Sequence, residues 1–354
     1  MARIVVLGGS GFLGSRVVEG LRKAQADVSV ASRKSAVSVD ATKPETFSAL
    51  EPFDVVVDLS DTVSNPPDAL IAWCLERGKT VIEATSEAPC VERLMKRHAA
   101  ESKGRLILGG GIFTGVSNLL AQHVAREVGK AESVTLGVSS SPFSGSGKGT
   151  IELMLRAMEV PAVRYENGAR VEEPKMRGGP RLDFGGTTRS TGYMSLAEPP
   201  MLHASTGAAR VDVLFAPKPG FLVPAFIGMP QWLVKQKWFM AFMRGYFTVL
   251  RRVFLKSVAS SVELVVTARG GGREVTRCVK ATDGMEAGGF ALAAMAEQAA
   301  QRSDWTGVKM IDQVCSLEPV LQRANQLAGT QLMTVTPALA ALPAGQTAAA
   351  QEAS

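Results

Sequence analysis

Residues 3–23, RIVVLGGSGFLGSRVVEGLRK, constrain this chain most. Arg3 to Leu7 is a β-branched apolar run, and Ser15 to Lys23 carries helix-spaced Val17, Val18 and Leu21. Between them Gly9, Gly11 and Gly14 form GxGxxG, with Ser10, Phe12 and Leu13 in the intervening places. The first glycine permits a tight turn, the second lets the backbone approach a pyrophosphate, and the third lets the helix pack close on the strand. The helix N-terminus then offers unpaired amides to phosphate. A second strand pattern, Asp27 to Ala31, completes the unit within about 30 residues. This context predicts a dinucleotide-binding loop with cofactor contacts at residues 9–14.

The end of the second strand selects the dinucleotide. A 2′-hydroxyl asks for Asp or Glu there, and a 2′-phosphate asks for a cation. The chain has Ser32, Arg33 and Lys34, and the next carboxylate is Asp40. A guanidinium can hold a phosphate through two parallel hydrogen bonds, which an ammonium cannot. The expectation is NADP (NADPH).

Strand and helix patterns keep alternating up to residue 108. Val37 to Val39 reads as a weak strand, Thr46 to Leu50 as a short helix and DVVVDL at 54–59 as a strand buried on both faces. Pro67 to Arg77 reads as a helix, Thr80 to Ala84 as a strand, Cys90 to Lys103 as a helix and Arg105 to Leu108 as a strand. That order implies an α/β fold: an N-terminal Rossmann domain with a doubly wound parallel sheet. After Gly109–Gly110–Gly111 a linking helix is expected over Val116 to Val128, then strands at 133–138, 211–215 and 262–268. The last pairs with 275–281 as a hairpin, and an Ala-rich helix follows over 287–301. The expected organisation is an NADP-binding domain at 1–117 and an α+β substrate or dimerisation domain at 118–336. The last stretch of the second domain is expected to pack back on the first, and 337–354 to form a disordered tail.

Several stretches together resemble the saccharopine dehydrogenase-like family of NAD(P)-dependent oxidoreductases. GGSGFLGSRVVEGL followed by VASRKS is similar to that family's phosphate loop and Ser-Arg strand end. VDATKPETF resembles its Asp-Ala turn, which would set Asp40 beside the adenine. VVVDLSD and KTVIEATSE look like the strands on the nicotinamide side, and GIFTGVSNLLA like the exit from the first domain. SPFSGSGKGTIELML and VRYENGARVEEP look like its Gly-rich loop and hairpin. The likeness covers residues 1–215 well and 258–325 loosely. Where the family often has Gly-Pro after the fourth strand, this chain has Ser60–Asp61–Thr62 and then Asn65–Pro66–Pro67. The resemblance implies hydride transfer to or from an imine, ketone or activated double bond of a small-molecule substrate. Short-chain dehydrogenase chemistry is disfavoured, because Tyr165, Tyr193 and Tyr246 are followed four places on by Ala169, Ala197 and Leu250, never by Lys.

No proton donor stands out, so the catalytic residues stay open. Glu83 and Glu87 follow the fifth strand, at the carboxyl edge where such sheets bind ligands. They read equally well as helix N-terminal carboxylates. His98 reads as a surface residue, His123 as a packing or capping residue and His203 as a weak site candidate. Ser139 to Ser146 could line a pocket or be only a loop. Four scattered cysteines and three histidines give neither a metal cluster nor a disulfide framework, which fits a reducing, cytoplasmic setting. The N-terminus lacks secretory-signal character, and no uncharged apolar run reaches the ~18 residues of a spanning helix.

Residues 213–262 are different. They hold seven cations and no acidic residue, and ten of the chain's 21 aromatic residues. The net charge of +6 is thus concentrated in one segment rather than spread as on a nucleic-acid binder, and its cations and aromatics fall on different helical faces. From 237 to 254 the polar positions recur at steps of three and four, a single helical stripe. Three readings stay open: a core or homodimer helix, a membrane-surface helix over 238–254, or the wall of a pocket for an apolar substrate. A rival to the enzyme reading is a non-catalytic NADP-binding sensor or membrane-associated scaffold.

Overall fold

The computed structural model describes residues 2–62, 65–97, 103–141, 155, 157, 159–174, 177–220, 231–234, 236–253 and 260–337. The chain opens with β1 (Arg3–Leu7), α1 (Phe12–Lys23), β2 (Asp27–Ser32) and β3 (Val37–Ser38). It continues with β4 (Val55–Asp58), α2 (Asp68–Glu76), β5 (Thr80–Glu83), α3 (Ala88–Arg97) and β6 (Arg105–Leu108). Then come α4 (Ser117–Glu127), β7 (Ser133–Ser140), β8 (Ala162–Glu166), β9 (Ala169–Glu173), and the short pair β10 (Leu182–Asp183) and β11 (Thr188–Arg189). Next are α5 (Glu198–Thr206), β12 (Arg210–Pro217), α6 (Gln231–Val234), α7 (Lys237–Val253) and the hairpin β13 (Val262–Gly270) and β14 (Arg273–Ala281). The last elements are α8 (Gly284–Ala300), β15 (Gly307–Met310), α9 (Ile311–Val314), α10 (Leu317–Ala328) and β16 (Met333–Thr336).

The first sheet runs β15-β6-β5-β4-β1-β2-β3, with every neighbour parallel. Within it the order 3-2-1-4-5-6 is that of a doubly wound dinucleotide fold. The seventh strand, β15, joins beside β6 in register Val308↔Leu106, so this sheet draws on residues far beyond 117. The second sheet, β16-β14-β13-β7-β12-β8-β9, is mixed: β7 and β12 are parallel and the other neighbours antiparallel. The fold is thus α/β, a parallel sheet plus a mixed one.

Successive residues of a strand face opposite sides, and here both sides are buried. On one face Val5, Val56, Val81 and Leu106 pack with Phe47, Leu70 and Leu94. On the other, Val6, Val57, Ile82 and Ile107 join Val17 and Leu21 of α1, Phe290 of α8 and Leu120 of α4. That cluster continues into Val134, Leu136, Val213 and Leu264 of the second sheet. Helix α8 packs along α1 and α10.

Three local expectations shift. The helix expected over 46–50 is a 3-10 turn over Pro44–Leu50, started by the fixed φ of Pro44. The third helix begins earlier, at Ala88, and residues 98–102, with His98, lie outside the described residues. The linking helix starts only at Ser117, after a kinked π-turn over Ile112–Val116 in which Thr114 has φ 55°. Buried Glu198 of α5 holds that kink, accepting hydrogen bonds from Thr114 N (3.1 Å) and Ser117 Oγ (3.2 Å). Of the expected tail, 338–354 lie outside the described residues.

One buried acid is a liability. Asp312, at the start of α9, has no well-formed hydrogen bond at either carboxylate oxygen among the described residues. Burial pushes its carboxyl up to about 6, offset in part by the Ser205 hydroxyl. The unfolded chain ionises this group near pH ~4. Stability is therefore fully present below that pH and is lost as pH rises through about 6. Asp312→Asn is expected to stabilise the fold by about 1–3 kcal/mol at pH 7 and to do little at pH 4. Urea unfolding at both pH values measures it; a less stable variant at pH 7 would mean that the charge has a partner.

Candidate active site

The phosphate loop is built by close backbone approaches. Gly8 has φ +79°, and a Cβ there would lie 2.6 Å from the Leu59 carbonyl oxygen. Only glycine suits both demands. The amides of Gly8, Gly9 and Gly11 donate to Ala31 O, Val6 O and Gly8 O at 3.0, 3.2 and 2.9 Å. Gly14 is buried against the loop: a Cβ would meet Gly8 O at 2.2 Å. Gly11 is the N-cap of α1 and supplies no side-chain cap. The first-turn amides of α1 are therefore left to an outside acceptor.

The loop borders a cleft of about 180 Å³, lined by Gly8, Gly11, Phe12, Leu13 and Gly14 from β1–α1. Asp58, Ser60 and Thr62 line it from the end of β4, and Glu83 and Thr85 from the end of β5. This is the carboxyl edge of the sheet, beside the β1/β4 boundary where the strand order reverses and such folds bind ligands. Phe12 stands 60% exposed at the mouth, and Ser10 is exposed. An uncapped helix N-terminus and a loop with no room for a Cβ at Gly8 or Gly14 fit a dinucleotide pyrophosphate.

Arg33 and Lys34 are exposed just past β2, and neither forms a salt bridge among the described residues. Ser32 Oγ accepts from the Lys34 amide at 3.2 Å, which fixes the turn that carries Arg33. Asp40 is committed locally. Its Oδ1 accepts from Thr42 Oγ1 (2.7 Å) and Thr42 N (3.1 Å), and its amide donates to Thr46 Oγ1 (3.0 Å). The Thr42 hydroxyl, then the amide, holds this carboxyl below the usual range.

The chemistry concentrates in two carboxyls. Asp58 ends β4 and Glu83 ends β5, and the two are register partners on neighbouring parallel strands, so their side chains share one face. Both are 1% exposed. Each has one oxygen anchored: Asp58 Oδ1 accepts from Ser60 N (2.8 Å), and Glu83 Oε1 from Thr85 N (3.0 Å). The other oxygens, Asp58 Oδ2 and Glu83 Oε2, receive no donor from other residues among those described. Burial, then the neighbouring Asp58 charge, pushes the Glu83 carboxyl well up, and burial also raises Asp58. Like charges this close cannot both ionise cheaply. Both carboxyls at the cleft are thus pushed toward the protonated form.

The other candidates are placed elsewhere. Glu87 stands at the start of α3, where its carbonyl accepts from Val91 N at 3.0 Å. His123 is buried against Glu127 (3.3 Å), with its pKa lowered by burial. His203 stacks on Tyr165 with centroids 4.0 Å apart, and its Nδ1 contacts Ala208 O at 3.0 Å. Ser139, Ser140 and Ser141 are buried at the end of β7, and 142–146 lie outside the described residues. Glu83 was visible in the sequence as a candidate. Asp58 was not, because only the pairing of β4 with β5 brings it to Glu83.

No family model matches the chain, and neither does any curated protein. Solved structures give distant likenesses. One is an engineered D-amino acid dehydrogenase, with 13% identity, 89% of this chain and 95% of that one covered, and TM-score 0.48. Another is C. glutamicum DAP dehydrogenase in complex with DAP, with 12% identity, 89% and 94% covered, and TM-score 0.46. A third is the WlbA (WbpB) dehydrogenase from Thermus thermophilus in complex with NAD and UDP-GlcNAcA, with 13% identity, 92% and 95% covered, and TM-score 0.40. None of the three is named a saccharopine dehydrogenase. At these TM-scores the likenesses decide nothing about the chemistry, which is read from the chain's own residues.

Proposed function

We propose that this chain is an NADP-dependent oxidoreductase of saccharopine dehydrogenase-like type. It transfers hydride to or from an imine, ketone or activated double bond of a small, apolar substrate. The observation that carries this is one cleft bordered both by a helix N-terminus with no side-chain cap and by two buried carboxyls, Asp58 and Glu83. When bound, the nicotinamide supplies the hydride. The chain's own part is to hold the phosphates on the amides after Gly11 and a 2′-phosphate on Arg33, and to keep a proton at Glu83 for the substrate atom that gains it. Four free cysteines suit a cytoplasmic protein. The apolar substrate class rests on the aromatic richness of residues 213–262.

The test is a tryptophan-fluorescence titration with NADPH and NADH, followed by turnover on a panel of imines, ketones and enones. Tight NADPH binding with turnover is expected. Tight binding without turnover would replace the enzyme by a redox sensor, and no binding of either dinucleotide would remove the whole reading. Arg33→Asp should move preference toward NADH by about 10- to 100-fold, the worth of one charge-assisted bidentate contact and its reversal. An unchanged NADPH/NADH ratio in the same titration would take Arg33 out of the site.

A further inference from the structure

Helix α7 has three sides. Phe239, Met240 and Met243 are buried. Trp238, Phe242, Tyr246 and Val249 are exposed, at 64, 60, 49 and 57%. Their spacings of four, four and three residues set them in one row along the helix. Ala241 and Gly245, along the edge of that row, are exposed as well. The Phe242 and Tyr246 rings stack with centroids 6.1 Å apart. Trp232, on the neighbouring α6, is 63% exposed. Large apolar side chains grouped on one outer face mark an interaction surface.

The third side is basic by register. Lys237, Arg244 and Arg251 recur every seven residues, with Arg252 adjacent, and no acidic residue lies between Asp212 and Glu263. Within this window Lys218 is already committed to Glu263, at 3.3 Å. The other cations have no carboxylate in their own segment.

Charge decides what covers this face. A second copy in a two-fold contact would set this acid-free, cationic segment against itself. An anionic lipid surface suits this face: the exposed aromatics sit at the level of the interface, and the segment's positive charge, unopposed by any acid of its own, lies within about a Debye length of the headgroups. No helix among the described residues is long and apolar enough to cross a membrane, so the contact is one of lying on the surface. We propose that α7 docks this protein flat on an anionic lipid surface through Trp238, Phe242 and Tyr246, with Arg244, Arg251 and Arg252 supplying the charge preference. This stands apart from the redox reading and does not need it.

The experiment is co-sedimentation of the full chain with phosphatidylcholine vesicles and with vesicles carrying about one-third phosphatidylserine. Binding to the anionic vesicles should be at least about tenfold stronger and should weaken as salt rises. The triple variant Trp238→Ser, Phe242→Ser, Tyr246→Ser should bind at least about tenfold more weakly. Arg244→Gln, Arg251→Gln and Arg252→Gln together should remove the preference between the two vesicles. A thermal midpoint unchanged from the parent shows that each variant is folded. Failure of the parent chain to bind either vesicle overturns the proposal, as does undiminished binding by the triple-serine variant. A parent dimer that the triple-serine variant dissociates, with no vesicle binding, would assign the face to a second copy instead.

Discussion

Gly11→Ala and Gly14→Ala are both expected to weaken dinucleotide binding by about 100-fold, the usual cost of misplacing a positioning group by an ångström. Their effects on the fold should differ. A Cβ on Gly11 meets only Gly8 O, at 3.1 Å, and otherwise points into the cleft. It occupies the place that the phosphate needs. At this N-cap position the loss of stability should stay near ~1 kcal/mol. A Cβ on Gly14 would sit 2.2 Å from Gly8 O and 2.8 Å from Gly9 Cα, so the loop or the first turn of α1 must move. That variant should lose stability by about 2–4 kcal/mol as well as binding. NADPH titration and urea unfolding of the two variants separate the cradle from its support. Full binding by Gly11→Ala would mean that no phosphate lies against that backbone.

The residues that were legible in the sequence are those whose physics is local. The glycine loop, the strands DVVVDL and RLIL and the hairpin across 270–272 each declare themselves by composition and period. What the sequence did not show depends on distant partners. Strand β15 is four residues, GVKM, and nothing in it says that it pairs with β6 two hundred positions earlier. Gly8 carries the positive φ of the loop, yet beside Gly9 it reads as a spare glycine; only the approach of Leu59 O distinguishes it. Helix α7 shows the same limit on a surface. Its spacing separates apolar arcs from a basic one, but Phe239 and Met243 face inward while Phe242 and Tyr246 face outward. Both arcs are equally apolar, so period alone could not choose between them.

The carboxyl pair was half visible for the same reason, and its substitution should have the largest effect on chemistry. Glu83→Gln is expected to lower the rate of reduction by about 10²–10⁴-fold with NADPH affinity unchanged. Glutamine keeps an oxygen for the Thr85 amide and offers its own amide to Asp58, so the fold should be at least as stable. A lower rate in an equally stable protein is what a proton donor predicts and a packing residue does not. The pH profile adds a second readout. The parent's reduction rate should fall as pH rises past the raised, shared pKa of the pair, because Glu83 then has no proton to give. Glu83→Gln should lack that alkaline fall. Asp58→Asn removes the neighbouring charge that helps to hold Glu83 high, so its fall should begin at lower pH than the parent's. Full activity in Glu83→Gln, or an alkaline limb that Asp58→Asn does not move, would place the donor elsewhere. The buried pair would then only close the ends of β4 and β5.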